Sequence, residues 1–173
     1  MDTTVTYVDL KDLALRGGER FTQTFSMEMA PIVLGGQTYQ VLIPTGVTLV
    51  VDRVAGGFLV KISLFASLYG PCNRCLREAV LKVDARQQEF VPTSNEGWDE
   101  ADLSAFIEDF VVDVSGLARE ATVLALPGQI VCSADCPGLC PVCGHDLHAG
   151  PCGCPLGGVD ERWLALKDIH LEE

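Results

Sequence analysis

Basic residues are scarce in this 173-residue chain: 12 lysines and arginines stand against 24 aspartates and glutamates, for a formal net charge of -12. Affinity for nucleic acid rests chiefly on neutralising phosphates with Lys and Arg, so nonspecific binding of RNA or DNA by the whole surface is disfavoured. A basic protein, or one with a basic tail, is instead drawn towards such a field. Long apolar runs are also missing. The most hydrophobic stretch, 58–69, is broken by Lys61 and is shorter than the roughly 20 residues that span a bilayer, so it reads as a strand and no membrane is expected as a partner. Residues 1–6 show no basic start leading into an apolar stretch and no small-residue cleavage site; no secretory signal is expected, and a cytoplasmic location is. No paired carboxylates, nucleophile elbow or phosphate-cradling glycine motif can be read, and Gly35-Gly36 and Gly56-Gly57 are expected in turns. The chain is expected to act by binding, not as an enzyme.

What is present is a hydrophobic share of 48%, enough for a globular core and no more than two folding units at this length. From residue 21 onward the texture is β-branched with period two, which predicts strands over 21–27, 39–43, 47–54, 58–69 and 79–90. Ala55-Gly56-Gly57 suits a tight reversal, so 47–69 should form a β-hairpin. Val80, Lys82, Asp84 and Arg86 alternate with Leu81, Val83 and Ala85, as in a third antiparallel strand with one wet face. Residues 8–15 suggest a short helix or turn, and 92–102, with four acids, a surface loop that is the best candidate for local disorder. A helix is expected to start near Ser115, capped by its hydroxyl, and to be stopped by Pro127. A last short helix over 160–169 would gather Trp163, Leu164, Leu166 and Ile169 for docking onto the sheet. The expected class is α+β: an antiparallel β core over 1–128 with a helix near 115–126, and a Cys-rich tail over 129–173 packed on it.

Between residues 132 and 158 there are too few large apolar side chains to build a core, so another crosslink must pin that segment. Eight cysteines fit the need: Cys72, Cys75, Cys132, Cys136, Cys140, Cys143, Cys152 and Cys154. In a reducing compartment clustered cysteines bind metal more often than they form disulfides. Cys72-Asn73-Arg74-Cys75 lies between two predicted strands, where a tight turn aims both sulfurs to one side and backbone amides can bond the thiolates. In Cys140-Pro141-Val142-Cys143-Gly144 the proline stiffens the turn and the glycine lets the chain pass close to a metal. Tetrahedral zinc takes four ligands, and eight cysteines divide into two sets without remainder. The tidy division joins Cys72 and Cys75 with Cys132 and Cys136, stapling sheet to tail, and closes Cys140, Cys143, Cys152 and Cys154 as a local ribbon. Other partitions stay open, including a single site in the tail; zinc, two per chain, is the expected metal, because paired knuckles and tight spacing suit one tetrahedral ion, and a cluster of iron and sulfur is the alternative that spacing alone does not remove. His145 and His148 are alternative ligands, though exposed or hydrogen-bonded histidines are the plainer reading; His170 reads as ordinary surface.

Cys72-x2-Cys75-Leu76 after a hairpin, Leu124-Ala125-Leu126-Pro127, Cys136-Pro137-Gly138-Leu139-Cys140-Pro141-Val142-Cys143-Gly144-His145-Asp146-Leu147, Cys152-Gly153-Cys154 and the closing Asp160-Glu161-Arg162-Trp163-Leu164 occur in this order. Together they resemble the YceD family of large ribosomal RNA subunit accumulation proteins. The resemblance implies a bacterial or plastid protein needed for normal accumulation of large-subunit ribosomal RNA, with no known catalytic activity and a gene often next to that of a small zinc-binding ribosomal protein. The chain departs from the family's usual Asn in carrying His148. The implied partner, given the acidity, is a basic ribosomal protein or a pre-ribosomal particle. Arg74, Arg77, Lys82 and Arg86 are the only basic cluster that could add a direct contact with rRNA, and a solvated strand face is the plainer reading of it. Two other classes fit the cysteines: a Cys-x2-Cys thiol redox protein, which should carry its pair at a helix N-terminus, and a generic zinc-ribbon adaptor between proteins.

Overall fold

The computed structural model describes residues 6–94, 97–99 and 103–155. It is an α+β fold dominated by antiparallel sheet. Nine strands, β1 (Tyr7–Asp9), β2 (Arg20–Phe25), β3 (Met29–Leu34), β4 (Gln37–Leu42), β5 (Val47–Val54), β6 (Gly57–Pro71), β7 (Glu78–Pro92), β8 (Ile107–Glu108) and β9 (Val111–Asp113), precede one helix, α1 (Val114–Leu124). Among the described residues a 3-10 turn, Leu147–Ala149, follows in the Cys-rich segment.

The organising element is β6. Phe58, Val60, Ile62, Leu64, Ala66 and Leu68 point inward and are buried, while the intervening Lys61, Ser63 and Phe65 face out, the period-two pattern of a strand with one packed face. Along one edge β6 pairs with β7 from Gly57↔Pro92 to Pro71↔Glu78. Its other edge is shared: β5 takes residues 57–64 and β4 takes 67–69. β2 extends the sheet beyond β5, and β3 beyond β4. The β5–β6 hairpin turns at Ala55-Gly56, with Gly56 at φ 80°, as its glycines suggested. Helix α1 lays Val114, Leu117, Ala118, Ala121 and Thr122 onto the inner face of β6 and β7. These positions fall at the spacing of one helical face.

Several local expectations are corrected. The cap of α1 is Asp113, whose Oδ1 accepts the Gly116 N–H at 2.9 Å; Ser115 Oγ instead accepts the Thr6 N–H at 3.0 Å. An aspartate two residues before Ser115 has the same capping chemistry and a better position. Residues 7–9 form a strand and not a helix, because β9 offers them an antiparallel partner, and only the turn after them remains. The expected disordered loop falls partly at 95, 96 and 100–102, outside the described residues, as does the expected helix over 160–169. Of that loop, Trp98 stacks on Phe90 with centroids 5.6 Å apart.

Where β4 and β6 run side by side, Gly70 lies against Tyr39. A Cβ at Gly70 would sit 2.5 Å from Tyr39 Cδ1 and 2.8 Å from the Thr38 carbonyl oxygen. Tyr39 is fully buried and its hydroxyl lies 2.8 Å from the Pro71 carbonyl, so the ring has nowhere to go. Gly70→Ala is therefore expected to destabilise the protein by about 1–3 kcal/mol, the usual cost of overpacking. Urea unfolding checks this, and an unchanged midpoint would mean that the strands separate freely.

Candidate metal centre

The long β6–β7 hairpin ends in a loop of residues 72–77, and the first cysteine pair is that loop. The Cys72 N–H donates to the Arg77 carbonyl at 2.7 Å and the Leu76 N–H to the Cys72 carbonyl at 3.0 Å, closing a turn in which Leu76 takes φ 62°. Both sulfurs are thereby turned to the same side, towards the chain that returns after α1. Asn73 receives that chain: its N–H donates to the Ile130 carbonyl at 2.8 Å, and its Oδ1 accepts the Ile130 N–H at 3.0 Å. Ile130 is 1% exposed, so the return is anchored by apolar burial as well.

That anchor delivers Cys132 and Cys136 to the hairpin tip. The four sulfurs of Cys72, Cys75, Cys132 and Cys136 all lie within 4.8 Å of one another. Cys72 Sγ is 3.7 Å from Cys136 Sγ, and Cys75 Sγ is 3.6 Å from Cys132 Sγ. With Zn–S near 2.3 Å, a tetrahedron of sulfurs has edges of about 3.8 Å, whereas a disulfide needs about 2.05 Å. The spacing fits one small tetrahedral ion and no covalent pair. A second quartet, Cys140, Cys143, Cys152 and Cys154, meets the same 4.8 Å limit. The structure thus assembles all eight sequence-picked cysteines, in the division of one quartet across hairpin and tail and one within the tail. Each quartet could hold a metal ion.

The electrostatics agree with that reading. Burial pushes the Cys72 thiol up, but the backbone N–H groups of Arg74, Cys75 and Cys132 outweigh it and bring it down to about 6. Cys136, buried and crowded by the sulfurs of Cys132, Cys75 and Cys72, is pushed up to about 12. The second quartet repeats the split: the N–H groups of Cys143 and Val142 lower Cys140 to about 6, while the sulfurs of Cys143 and Cys152, with burial, raise Cys154 to about 12. Four sulfurs in touch cannot all carry a negative charge unaided, and a divalent cation at their centre removes the conflict.

The quartets differ in exposure. Cys72, Cys75 and Cys136 are buried and only Cys132 is exposed; in the second quartet only Cys140 is buried. They are also packed together. The Leu139 N–H donates to the Arg74 carbonyl at 3.1 Å, and Arg77, two residues after Cys75, pairs with Asp146 at 2.7 Å. The Asp146 carboxyl is held below the usual carboxylate range, first by the His148 N–H and further by Arg77, against the push of burial. Sequence reasoning missed Asn73, Arg77 and Asp146 as fasteners, because nothing in spacing says what lies opposite a turn. His145 contributes its carbonyl to the Cys140 N–H at 2.8 Å, and its side chain is exposed. His170 lies outside the described residues.

The basic cluster is mostly engaged. Arg74 Nη1 donates to the Cys136 carbonyl, Arg77 holds Asp146, and Arg86 pairs with Asp84 at 2.7 Å, leaving Lys82 exposed on β7. A groove of about 770 Å³ on the outer sheet face, lined by Thr48, Lys61, Ser63, Phe65 and Arg86 among others, has its cations similarly paired, Lys61 with Asp52 at 2.9 Å. Among the described residues no helix is long and apolar enough to cross a membrane.

Residues 60–170, which take in both quartets, match the family model described as Large ribosomal RNA subunit accumulation protein YceD. The chain belongs to the YceD family. Similar proteins include an uncharacterized protein of Mycobacterium tuberculosis, 33% identical over 122 residues that make up 69% of this chain and 58% of the relative. An uncharacterized protein of Mycobacterium leprae is 30% identical over 129 residues, 73% of this chain and 59% of the relative. The chain thus spans less than two thirds of the length of these relatives. No solved structure matches it.

Proposed function

We propose that this YceD-family chain is a non-catalytic zinc protein of the cytoplasm that supports biogenesis of the large ribosomal subunit and accumulation of its RNA, by binding a basic ribosomal protein or a precursor particle. Family membership carries the reading, since the family description names accumulation of large-subunit ribosomal RNA. Zinc is the cation that suits two tetrahedral all-sulfur sites with no open position, and such closed sites are structural in character. The surplus of 24 acids over 12 bases supports a basic protein client over naked RNA, and so does the internal pairing of Arg77 and Arg86. The placement of the first pair does not favour a redox role: Cys72 and Cys75 cap a β-hairpin and not a helix N-terminus, and α1 starts at Val114 with Asp113 as its cap.

The test is affinity purification of the native protein with mass spectrometry of bound proteins and sequencing of bound RNA, paired with gradient profiles after depletion. Recovery of a basic large-subunit protein and a reduced large-subunit peak are expected. An unaltered profile together with no ribosomal protein in the eluate would overturn the proposal. Elemental analysis should give about two zinc per chain, and one or none would remove the two-centre reading.

A further inference from the structure

The second quartet's loop carries one side chain into the first. His148 follows Asp146 in the 3-10 turn, its backbone N–H donating to Asp146 Oδ1 at 3.0 Å while Arg77 grips the same carboxylate from the first loop. So held, His148 Nε2 lies 3.5 Å from Cys136 Sγ and 3.9 Å from Cys132 Sγ. It is not a member of that quartet, whose four sulfurs form a set by themselves. The Leu147 N–H donates to the Gly138 carbonyl at 3.1 Å, fixing the turn between the two centres.

We propose that His148 is an outer-shell hydrogen-bond donor to the first centre, so that closure of the second centre secures the metal in the first. The proposal rests on the reading that both quartets bind zinc. An all-sulfur zinc centre carries two net negative charges, and an N–H directed at a thiolate draws off part of that charge and makes the sulfur a poorer target for protons and electrophiles. Cys132 is the exposed sulfur of the first quartet, where such a donor matters most. The donor is placed by a loop that Cys140, Cys143, Cys152 and Cys154 hold in shape. Loss of the second metal therefore withdraws His148 from a centre it does not ligate. His148 is a positioning residue in this arrangement, acting through the sulfurs.

Timed alkylation of the zinc-loaded protein with iodoacetamide, read cysteine by cysteine by peptide mass spectrometry, tests this. His148→Ala should keep two zinc per chain, yet Cys132 and Cys136 should react about tenfold faster, the lower end of the usual effect of outer-shell partners. His148→Gln, which restores an N–H donor, should recover part of the protection. Cys152→Ser should speed Cys132 and Cys136 comparably although His148 is intact, and adding His148→Ala to it should have little further effect. Unchanged Cys132 and Cys136 rates in His148→Ala would overturn the coupling. So would equal exposure of Cys140 in that variant, because His148 would then be holding only its own loop. A parent protein with fewer than two zinc would instead overturn the metal reading on which this rests.

Discussion

Replacing Cys72 with Ser, at the tip of a hairpin, is expected to unfasten a segment that begins about 60 residues later. In zinc-loaded protein, amides over 130–155 should exchange at least a hundredfold faster in Cys72→Ser than in the parent, while those of β5 and β6 stay protected. Cys72 is fully buried, stands 3.7 Å from Cys136 and accepts the N–H groups of Arg74 and Cys132, so it joins the hairpin half of the quartet to the tail half. Structural zinc contributes on the order of 10 kcal/mol of apparent binding free energy in small domains, and losing one thiolate of four forfeits a substantial part of it. What would still fasten the tail is weaker: the Asn73–Ile130 pair, the Leu139–Arg74 bond and the exposed Arg77–Asp146 contact. Bonds of this kind net about 1 kcal/mol each, and exposed ion pairs less. The decisive comparison is with Cys140→Ser. If that variant exposes 130–155 while Cys72→Ser leaves it protected, the tail holds its metal alone and the staple across the fold is wrong.

The strands that carry the site were legible in the sequence because burial on one face writes period two directly into the residues: 58, 60, 62, 64, 66 and 68 inward on β6, and 79, 83, 85 and 91 on β7. β3 was not, because Pro31 reads against a strand. It is tolerated there since β3 is an edge strand with an irregular register between Met29 and Ile32, and Arg119 of α1 caps the carbonyls of Ala30 and Pro31 at 2.7 and 3.1 Å. The β8–β9 hairpin was hidden for another reason. Its turn residues Asp109 and Phe110 both take positive φ, 49° and 72°, where Asn-Gly would have been the recognisable signal. Phe110 is compensated by tertiary contact, edge-on to Phe58 at 6.2 Å and beneath the Lys11 ammonium at 4.7 Å.

At the two cysteine quartets the members were legible and their supports were not. Cysteine is rare enough, and tetrahedral coordination regular enough, that counting by fours proposes the groups. The fasteners are ordinary residues whose role exists only in three dimensions: Asn73 looks like a filler inside Cys-x2-Cys, yet it is where the returning chain docks. The sequence offers His148 as a ligand or, more plainly, as an exposed or hydrogen-bonded histidine. It is exposed, with Nε2 3.5 Å from Cys136 Sγ, and is not a member of the quartet.

Stripping the metals should be an ordered event. A chelator must reach the ion, and the second quartet shows one exposed and two half-buried cysteines where the first shows a single exposed one. With a zinc-loaded chain at neutral pH, native mass spectrometry during chelation is expected to show a one-zinc species accumulating, with Cys140, Cys143, Cys152 and Cys154 becoming alkylatable at least tenfold sooner than Cys72 and Cys75. The charge should follow. Eight thiolates and two Zn²⁺ take the formal value from -12 to -16, and sulfurs released from the metal regain protons at neutral pH, as free thiols do. Mobility on native gels should therefore fall in two steps. The sheet should outlast both: Cys72, Cys75 and Cys136 belong to the same buried cluster as Val47, Leu49, Val60, Ile62, Leu64, Leu68 and Leu117, but these aliphatic side chains lie on β5, β6 and α1 and pack sheet against helix. Each contributes about 1.5–3 kcal/mol by burial, enough for far-UV dichroism to keep most of its β signal after the second ion leaves. Simultaneous release of both ions with collapse of that signal would show instead that the hairpin tip holds the core together, and that the two quartets and the sheet form one cooperative unit.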